Sequence, residues 1–327
     1  MGQLQGAARI HVILAREAAK AVVFRRGPAK KTAVIGWNLK NDTFKVGQWF
    51  YGSFYPYRCD LSPDGRHLVY FAAKYGRNCT KAELIKKKIE AEVGPFSWSK
   101  YEYYEKREKE LEVDQSILRE VQRRIRIGEY GDCSWTAVSR APYLKALSLW
   151  FNGSGWNGGG LFVDNRRLAL NHPPSQPQSI VRMGGGAFQE VPPPAYCKSW
   201  GHAGECPMVY VPRLARDGWT MLVEDRNGWL FEKPLVRSLK LRKWFFAGQS
   251  GPDHGCYWER HAVVDADGRT VIDGEGWSWA DYDCSRKRVV LAEKGVLYEL
   301  RIAGSVPKKN QLKDFNGMVS ERLAAPY

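Results

Sequence analysis

The segment Cys197-x4-His202-x3-Cys206 places two thiols and an imidazole within one short stretch. These are the ligand types that zinc prefers. Cys256, with His254 just before it and His261 after it, could complete a tetrahedral set from a second loop. The spacing matches no common zinc motif, and Gly201 and Pro207 mark an ordinary loop, so packed thiols are the expectation and no metal site is favoured. Asp265, Asp267, Gly268, Asp273 and Glu275 have the acidic content of a calcium loop, but the ligand spacing of an EF-hand is missing. A hairpin turn with solvated carboxylates is expected there. Gly184-Gly185-Gly186 is not followed by Gly-Lys-Ser/Thr, so it is no Walker loop. Ser154 lies in Gly153-Ser154-Gly155 and not in a Gly-x-Ser-x-Gly elbow. No cofactor is expected. Two carboxylate pairs, Asp281 with Asp283 and Asp273 with Glu275, could serve as acid and base if they converged in one pocket.

Tryptophan is the more suggestive residue. Several of the 13 tryptophans follow glycine in turn-like contexts, among them Trp156, Trp219, Trp229 and Trp277. An aromatic ring held in a loop can anchor a peptide, a sugar or a base. On that ground Trp156, Trp200, Trp277 and Trp279 are candidate binding residues. Burial in the core is the competing use of each.

The elements that must position these residues are short. The 327-residue chain carries a formal net charge of +15, and the excess is uneven. Residues 1–79 hold 13 Lys/Arg against 4 Asp/Glu, and residues 301–327 hold 5 against 2. Residues 80–127 hold 12 against 10 and residues 128–300 hold 20 against 19, so the middle is nearly neutral. If the two ends meet, they form a basic sector that attracts an acidic protein surface or nucleic acid. Arg25, Arg26, Lys30 and Lys31 flank Gly27-Pro28, which predicts an exposed turn, and they are the foremost binding candidates of that sector.

Runs 10–14, 21–24, 32–37 and 44–50 read as strands between turn signals. After residue 128 the alternation resumes, with Asp217-Gly218, Asn227-Gly228, Asp267-Gly268 and Lys294-Gly295 as turns. Between them, residues 81–127 break the rhythm. In the stretch 100–126, Leu111, Ile117, Leu118, Val121 and Ile125 recur at three- and four-residue steps among charged residues, which predicts one helix. The chain therefore divides into a basic first part (1–79), a helical insertion (80–127) and further strands of the same β domain (128–327).

Asp60-Leu61-Ser62-Pro63-Asp64-Gly65-Arg66-His67-Leu68-Val69 reads as strand, tight turn and strand. Ser62-Pro63-Asp64-Gly65 resembles the hairpin of bladed β-propellers, especially the TolB-like and WD40-like repeats. The resemblance implies an all-β fold, a divergent β-propeller of about five or six blades at about 40–50 residues per blade. It implies no particular activity, because one fold carries many functions.

Arg9, Arg16, Glu17 and Lys20 interrupt any apolar segment of a signal peptide at the start. The seven cysteines are odd in number and contain no Cys-x-x-Cys, which fits reduced thiols and a cytoplasmic location. No run approaches the length of a membrane helix, so no membrane partner is expected. The expected function is a non-enzymatic interaction module or scaffold that meets an acidic protein through the basic sector and the insertion. The alternatives are a propeller-type hydrolase, lyase or glycosidase with a central carboxylate site, and a nucleic-acid-binding protein.

Overall fold

A computed structural model describes residues 7–27, 30–74, 81–126, 133–152, 155, 157–172, 181–182, 188–192, 207–225, 228–247, 257–302 and 307–327. Those residues are mostly β, in five sheets. Sheet 1 is the meander β1 (Arg9–Leu14), β2 (Lys20–Arg26), β3 (Lys31–Asn38) and β4 (Thr43–Tyr51). Sheet 2 holds β5 (Ser53–Phe54), β6 (Asp60–Leu61), β7 (His67–Ala73), β8 (Ser134–Arg140), β9 (Ala146–Phe151) and, from later in the chain, β12 (Val181–Arg182). Sheet 3 is β10 (Gly160–Phe162), β11 (Arg167–Leu170) and β13 (Gln189–Val191), with the one parallel pair among the described residues between β11 and β13. Sheet 4 is β14 (Thr220–Asp225), β15 (Gly228–Pro234), β16 (Lys240–Ala247), β17 (Tyr257–Val264) and β18 (Thr270–Asp273). Sheet 5 is the meander β19 (Trp277–Asp283), β20 (Arg288–Glu293), β21 (Val296–Arg301) and β22 (Lys308–Asp314).

Alternation along single strands shows how the sheets stack, because neighbouring side chains point to opposite faces. On β2, Ala21 and Val23 join a cluster with Trp279 and Val290 of sheet 5, while Val22 and Phe24 join one with Leu68 and Tyr70 of sheet 2. On β7, Leu68, Tyr70 and Ala72 face sheet 1, and Val69 packs with Phe162 and Leu168 of sheet 3. On β20, Val290 and Ala292 face sheet 1, while Val289 and Leu291 pack with Phe231 and Phe245 of sheet 4. Strands covered on both faces read as continuous apolar runs, as Ala21-Val22-Val23-Phe24 does. Sheet 1 thus lies between sheets 5 and 2. Gly47 permits close approach at one of these seams, since a Cβ there would stand 2.0 Å from the Pro142 carbonyl oxygen.

The Ser62–Arg66 turn joins β6 to β7 as the sequence suggests. Gly65 has φ 68° and donates its N–H to the Ser62 carbonyl at 2.8 Å, and Ser62 Oγ donates to Asp64 Oδ1 at 2.6 Å. The turns at Asp267-Gly268 and Lys294-Gly295 likewise close β17–β18 and β20–β21. Asp217-Gly218 does not sit in a hairpin. It follows α4 (Pro207–Arg216), a helix the strand reading of 128–327 did not foresee. Pro212 lies inside α4 and weakens the helical signal, while seven buried residues hold the helix by packing, which overrides propensity. The helix packs on β10 and on β14 and so stands between sheets 3 and 4.

The insertion is helical, but its second half is two helices and not one. Its elements are α1 (Lys81–Val93), α2 (Tyr101–Glu112) and α3 (Gln115–Arg126). Asp114 separates the last two as an N-cap, accepting from the Ser116 N–H at 2.7 Å. Ile85, Ile89, Tyr104, Leu111, Ile117 and Val121 form a core of their own. The insertion leaves and rejoins one antiparallel hairpin, β7–β8, and the Lys74 N–H donates to the Cys133 carbonyl at 2.7 Å where the two ends meet. Replacing residues 75–132 with a short Gly/Ser linker should therefore remove the helical circular-dichroism signal and keep the β signal and a cooperative melt. Loss of the β spectrum would show that the sheets need the helices.

Candidate functional site

Two places concentrate side chains that are candidates for function. The first is a buried polar cluster where β1, α4, β16 and β17 come together. Antiparallel register sets Lys243 opposite His261, and Glu259 shares the face of His261 two residues away on β17. Lys243 Nζ donates to Glu259 Oε2 at 3.1 Å and to the Tyr210 hydroxyl at 3.0 Å. The Tyr210 hydroxyl donates to Glu259 Oε1. His261 Nε2 stands 3.1 Å from Glu259 Oε2, and its Nδ1 faces the Trp277 carbonyl at 3.3 Å. Arg213 Nη2 donates to His11 Nε2 at 3.2 Å, and Arg213 Nη1 to the Pro56 carbonyl at 3.3 Å. The His11 ring packs edge-on against Tyr57 at 4.7 Å.

Burial opposes the charge on Glu259, but Lys243 and His261 beside it overcome that and hold its carboxyl well below the usual carboxylate range. Burial, then the Arg213 charge, pushes His11 well below the ordinary histidine value. Burial also lowers His261, despite the nearby carboxylate. Burial, then the Glu259 charge, raises the Tyr210 phenol. The side chains of Lys243, Glu259 and His261 are no more than 2% exposed. A carboxylate fixed by a lysine, a tyrosine and a histidine has the makings of acid–base chemistry, but here it is sealed and its charge is already spent on internal partners. It is a polar lock between sheet 4 and α4.

The second place is the helical insertion. Gly94, with φ 78°, ends α1 and donates to the Glu90 carbonyl at 2.8 Å, the left-handed stop expected of glycine. Tyr104 of α2 reaches back to the Gly94 carbonyl at 2.6 Å. Arg107 grips Glu92 through two bonds of 2.8 and 2.9 Å. These ties hold α1 against α2 and leave a cavity of about 420 Å³ between them. Its lining on α1 is Ala82, Ile85, Lys86 and Ile89, and on α2 Tyr101, Tyr104, Glu105 and Glu108. Each set follows the 0, 3, 4, 7 spacing of one helix face. Phe96 closes one end, beside Trp98, which is 83% exposed. Nothing in the residue spacing announced Trp98 as exposed, because a helix–helix connection looks the same whether its aromatics are covered or bare.

The sequence candidates fare unevenly. Arg25 is not in an exposed turn. It is 3% exposed, and it donates to the Phe315 carbonyl through Nε and to the Asn316 carbonyl through Nη2, both at 3.0 Å. Its alternating partners on β2 face inward, and Arg25 follows them because sheet 5 offers carbonyls to its guanidinium. Arg26 is half-buried, Lys30 is exposed, and Lys31 lies over the Tyr51 ring at 5.6 Å. Trp277 and Trp279 are core residues, 6% and 2% exposed, and not loop anchors, because the glycine before Trp277 closes a turn that delivers it into β19. Trp156, Trp200, Cys197, His202 and Cys206 lie outside the described residues. Asp281 is bound by Lys233 at 2.7 Å and Asp283 by Arg288 at 2.9 Å, and Asp273 and Glu275 are exposed. Cys284 is an exposed free thiol. Among the described residues no helix is long and apolar enough to cross a membrane. No family model matches the chain, and no curated protein matches it.

Two outcomes follow from the polar lock and the buried histidines. Glu259→Ala leaves Lys243 buried without its carboxylate, and should lower the unfolding free energy by about 3–5 kcal/mol in urea titration. A loss under about 1 kcal/mol would mean that water reaches the site. Burial pushes His172 down to about 4, and lowers His11, His67 and His261 as well. Below about pH 6.5 the unfolded chain takes up protons that the folded chain refuses, so stability falls as pH drops from about 6.5 to about 4. The urea midpoint should stay level from about pH 7 to about pH 9 and decline through that acid window, and His172→Gln should make the decline shallower.

Proposed function

We propose that this chain is a non-enzymatic interaction module that meets an acidic protein partner through its joined terminal sheets and its helical insertion. The stacking of sheets 3, 2, 1, 5 and 4, with α4 between sheets 3 and 4, supports reading the sheets as blades of a divergent β-propeller, at the lower end of the five or six expected. The free thiol of Cys284 and the odd number of cysteines fit a cytoplasmic location.

One observation carries the reading: the two basic ends of the chain are neighbours. The Ala8 N–H donates to Asn316 Oδ1 at 2.9 Å, Arg25 grips the 315–316 backbone, and Gln48 Nε2 donates to the Leu323 carbonyl at 2.9 Å. Lys20, Lys30, Lys40, Lys308 and Lys313 are exposed and carry no ion pair among the described residues. Free cations on adjoining sheets add into a single field that steers an acidic surface. Of the candidate carboxylates, Asp281 and Asp283 are held by Lys233 and Arg288.

Reversing Lys30, Lys40, Lys308 and Lys313 to Glu should weaken capture of the native partner without shifting the melting temperature by more than about 2 °C, since exposed substitutions change little. The loss should be largest at low salt, where screening is weakest. Equal capture at low salt would reduce the basic sector to a solubility feature. Capture of nucleic acid, with affinity falling steeply as salt rises, would favour the nucleic-acid alternative.

A further inference from the structure

The cavity between α1 and α2 has the form of a groove that lacks a helix. Its two walls present Ala82, Ile85, Lys86 and Ile89 against Tyr101, Tyr104, Glu105 and Glu108, so each contributes about two helical turns, or roughly 10 Å of length. Ile85 and Ile89, buried in the core of the insertion, close its floor, and the apolar surface open to a ligand is Phe96 and Tyr101, 44% and 47% exposed, with Phe96 packed edge-to-face on Tyr104 at 5.2 Å. An amphipathic helix laid in such a groove presents anchors at the same three- and four-residue steps. The volume of about 420 Å³ suits a few side chains and not a whole domain.

Charge selects the occupant. On the α2 bank, Glu105 is shared with Lys109 at 3.0 Å, while Glu108 has no ion pair among the described residues. On the α1 bank, Lys86 already faces Glu90 at 3.6 Å. Trp98, beside Phe96 at 5.7 Å and Tyr101 at 6.2 Å, adds an exposed ring on which a cation can sit. The unsatisfied groups are therefore a carboxylate and an aromatic face, and both ask for Lys or Arg.

We propose that the α1–α2 groove binds an amphipathic helix of a partner protein, with aliphatic anchors one turn apart, a Lys or Arg over Glu108 at one end and another over Trp98 at the other. This deepens the interaction-module reading by naming what the insertion takes, and it is tested without the native partner. The probe is a labelled helical peptide of about four turns, with Leu at positions four apart flanked by Lys, next to a version with Glu in place of each Lys. Fluorescence anisotropy with the full chain should show saturable binding of the Lys peptide. Combined Glu105→Lys and Glu108→Lys should weaken it about tenfold or more, since like charges then face each other. Ala82→Trp, which fills the groove from an exposed position, should abolish it. Far-UV circular dichroism on each variant checks that the helices persist. No saturable binding at about 1 mM peptide, equal affinity for the Lys and Glu peptides, or unchanged binding to a folded Ala82→Trp chain would overturn the proposal. Peptide binding by a chain whose reversed terminal lysines still capture the native partner would sink the basic-sector reading and leave the groove standing.

Discussion

The seam between the first and last sheets is the constraint on which the rest of the structure depends. Sheet 1 is apolar on both faces, so it is stable only when sheet 5 covers one of them and sheet 2 the other. The cover from sheet 5 is fixed by guanidinium groups. Arg288, fully buried, reaches Asp42 in the β3–β4 turn at 2.6 and 2.9 Å while also holding Asp283 and Glu299, both at 2.9 Å. Arg25 makes the reciprocal reach from sheet 1 to the backbone after β22. Arginine suits these positions because its planar fork can serve several acceptors at once and never gives up its charge. The chain after β22 then continues over β4 to the β8–β9 turn, where the Tyr327 hydroxyl accepts from the Arg140 N–H at 2.9 Å and donates to the Lys145 carbonyl at 2.7 Å. Three sheets are thereby tied by a segment from the end of the described chain.

Away from that seam, polar groups are buried where elements of different kinds meet. Arg216 of α4 holds Asp60 through two bonds of 2.5 and 2.9 Å and donates to the Phe162 carbonyl at 2.8 Å, joining the helix to sheets 2 and 3. The Lys243–Glu259–Tyr210 cluster joins the same helix to sheet 4. Apolar packing alone tolerates many orientations of a short helix, whereas paired buried charges penalise all but one. α4 is thus specified by charge on both sides, which is what a ten-residue helix with an internal proline requires.

Much of the scaffold was legible in the sequence because strands and tight turns are local. Ser62-Pro63-Asp64-Gly65, Asp267-Gly268 and Lys294-Gly295 each encode a turn by backbone chemistry alone. The helical insertion was legible by period, but the break at Asp114 was not, because an aspartate among charged helix residues looks like surface until its side chain is seen to cap. Arg25 and Trp277 were misplaced for a shared reason. Their environment is set by residues far away in the chain, Phe315 and Asn316 for one and His261 for the other. The buried charge cluster escaped for the same cause, since His11, Tyr210, Arg213, Lys243 and Glu259 come from four separate elements with no common spacing.

The two halves of the proposed function rest on different kinds of stability. The sheets are held by large shared cores and buried ion pairs, so their surface is a rigid support for fixed charges. Among its described residues the helical unit has six buried core residues, and it is otherwise laced by exposed ion pairs such as Arg123–Glu120 and Lys109–Glu105, each of which contributes little. A unit of that kind opens at a lower cost than the sheets. It is also the part whose stability a bound helix would raise most, because apolar area in the groove would leave water and the exposed aromatics would gain a second face of contact. Such a unit sits on a hairpin already closed by the Lys74–Cys133 backbone bond, so β7 and β8 pair without it. On the proposed reading, recognition by shape and by charge could be tuned separately, the first on the helices and the second on the terminal sheets.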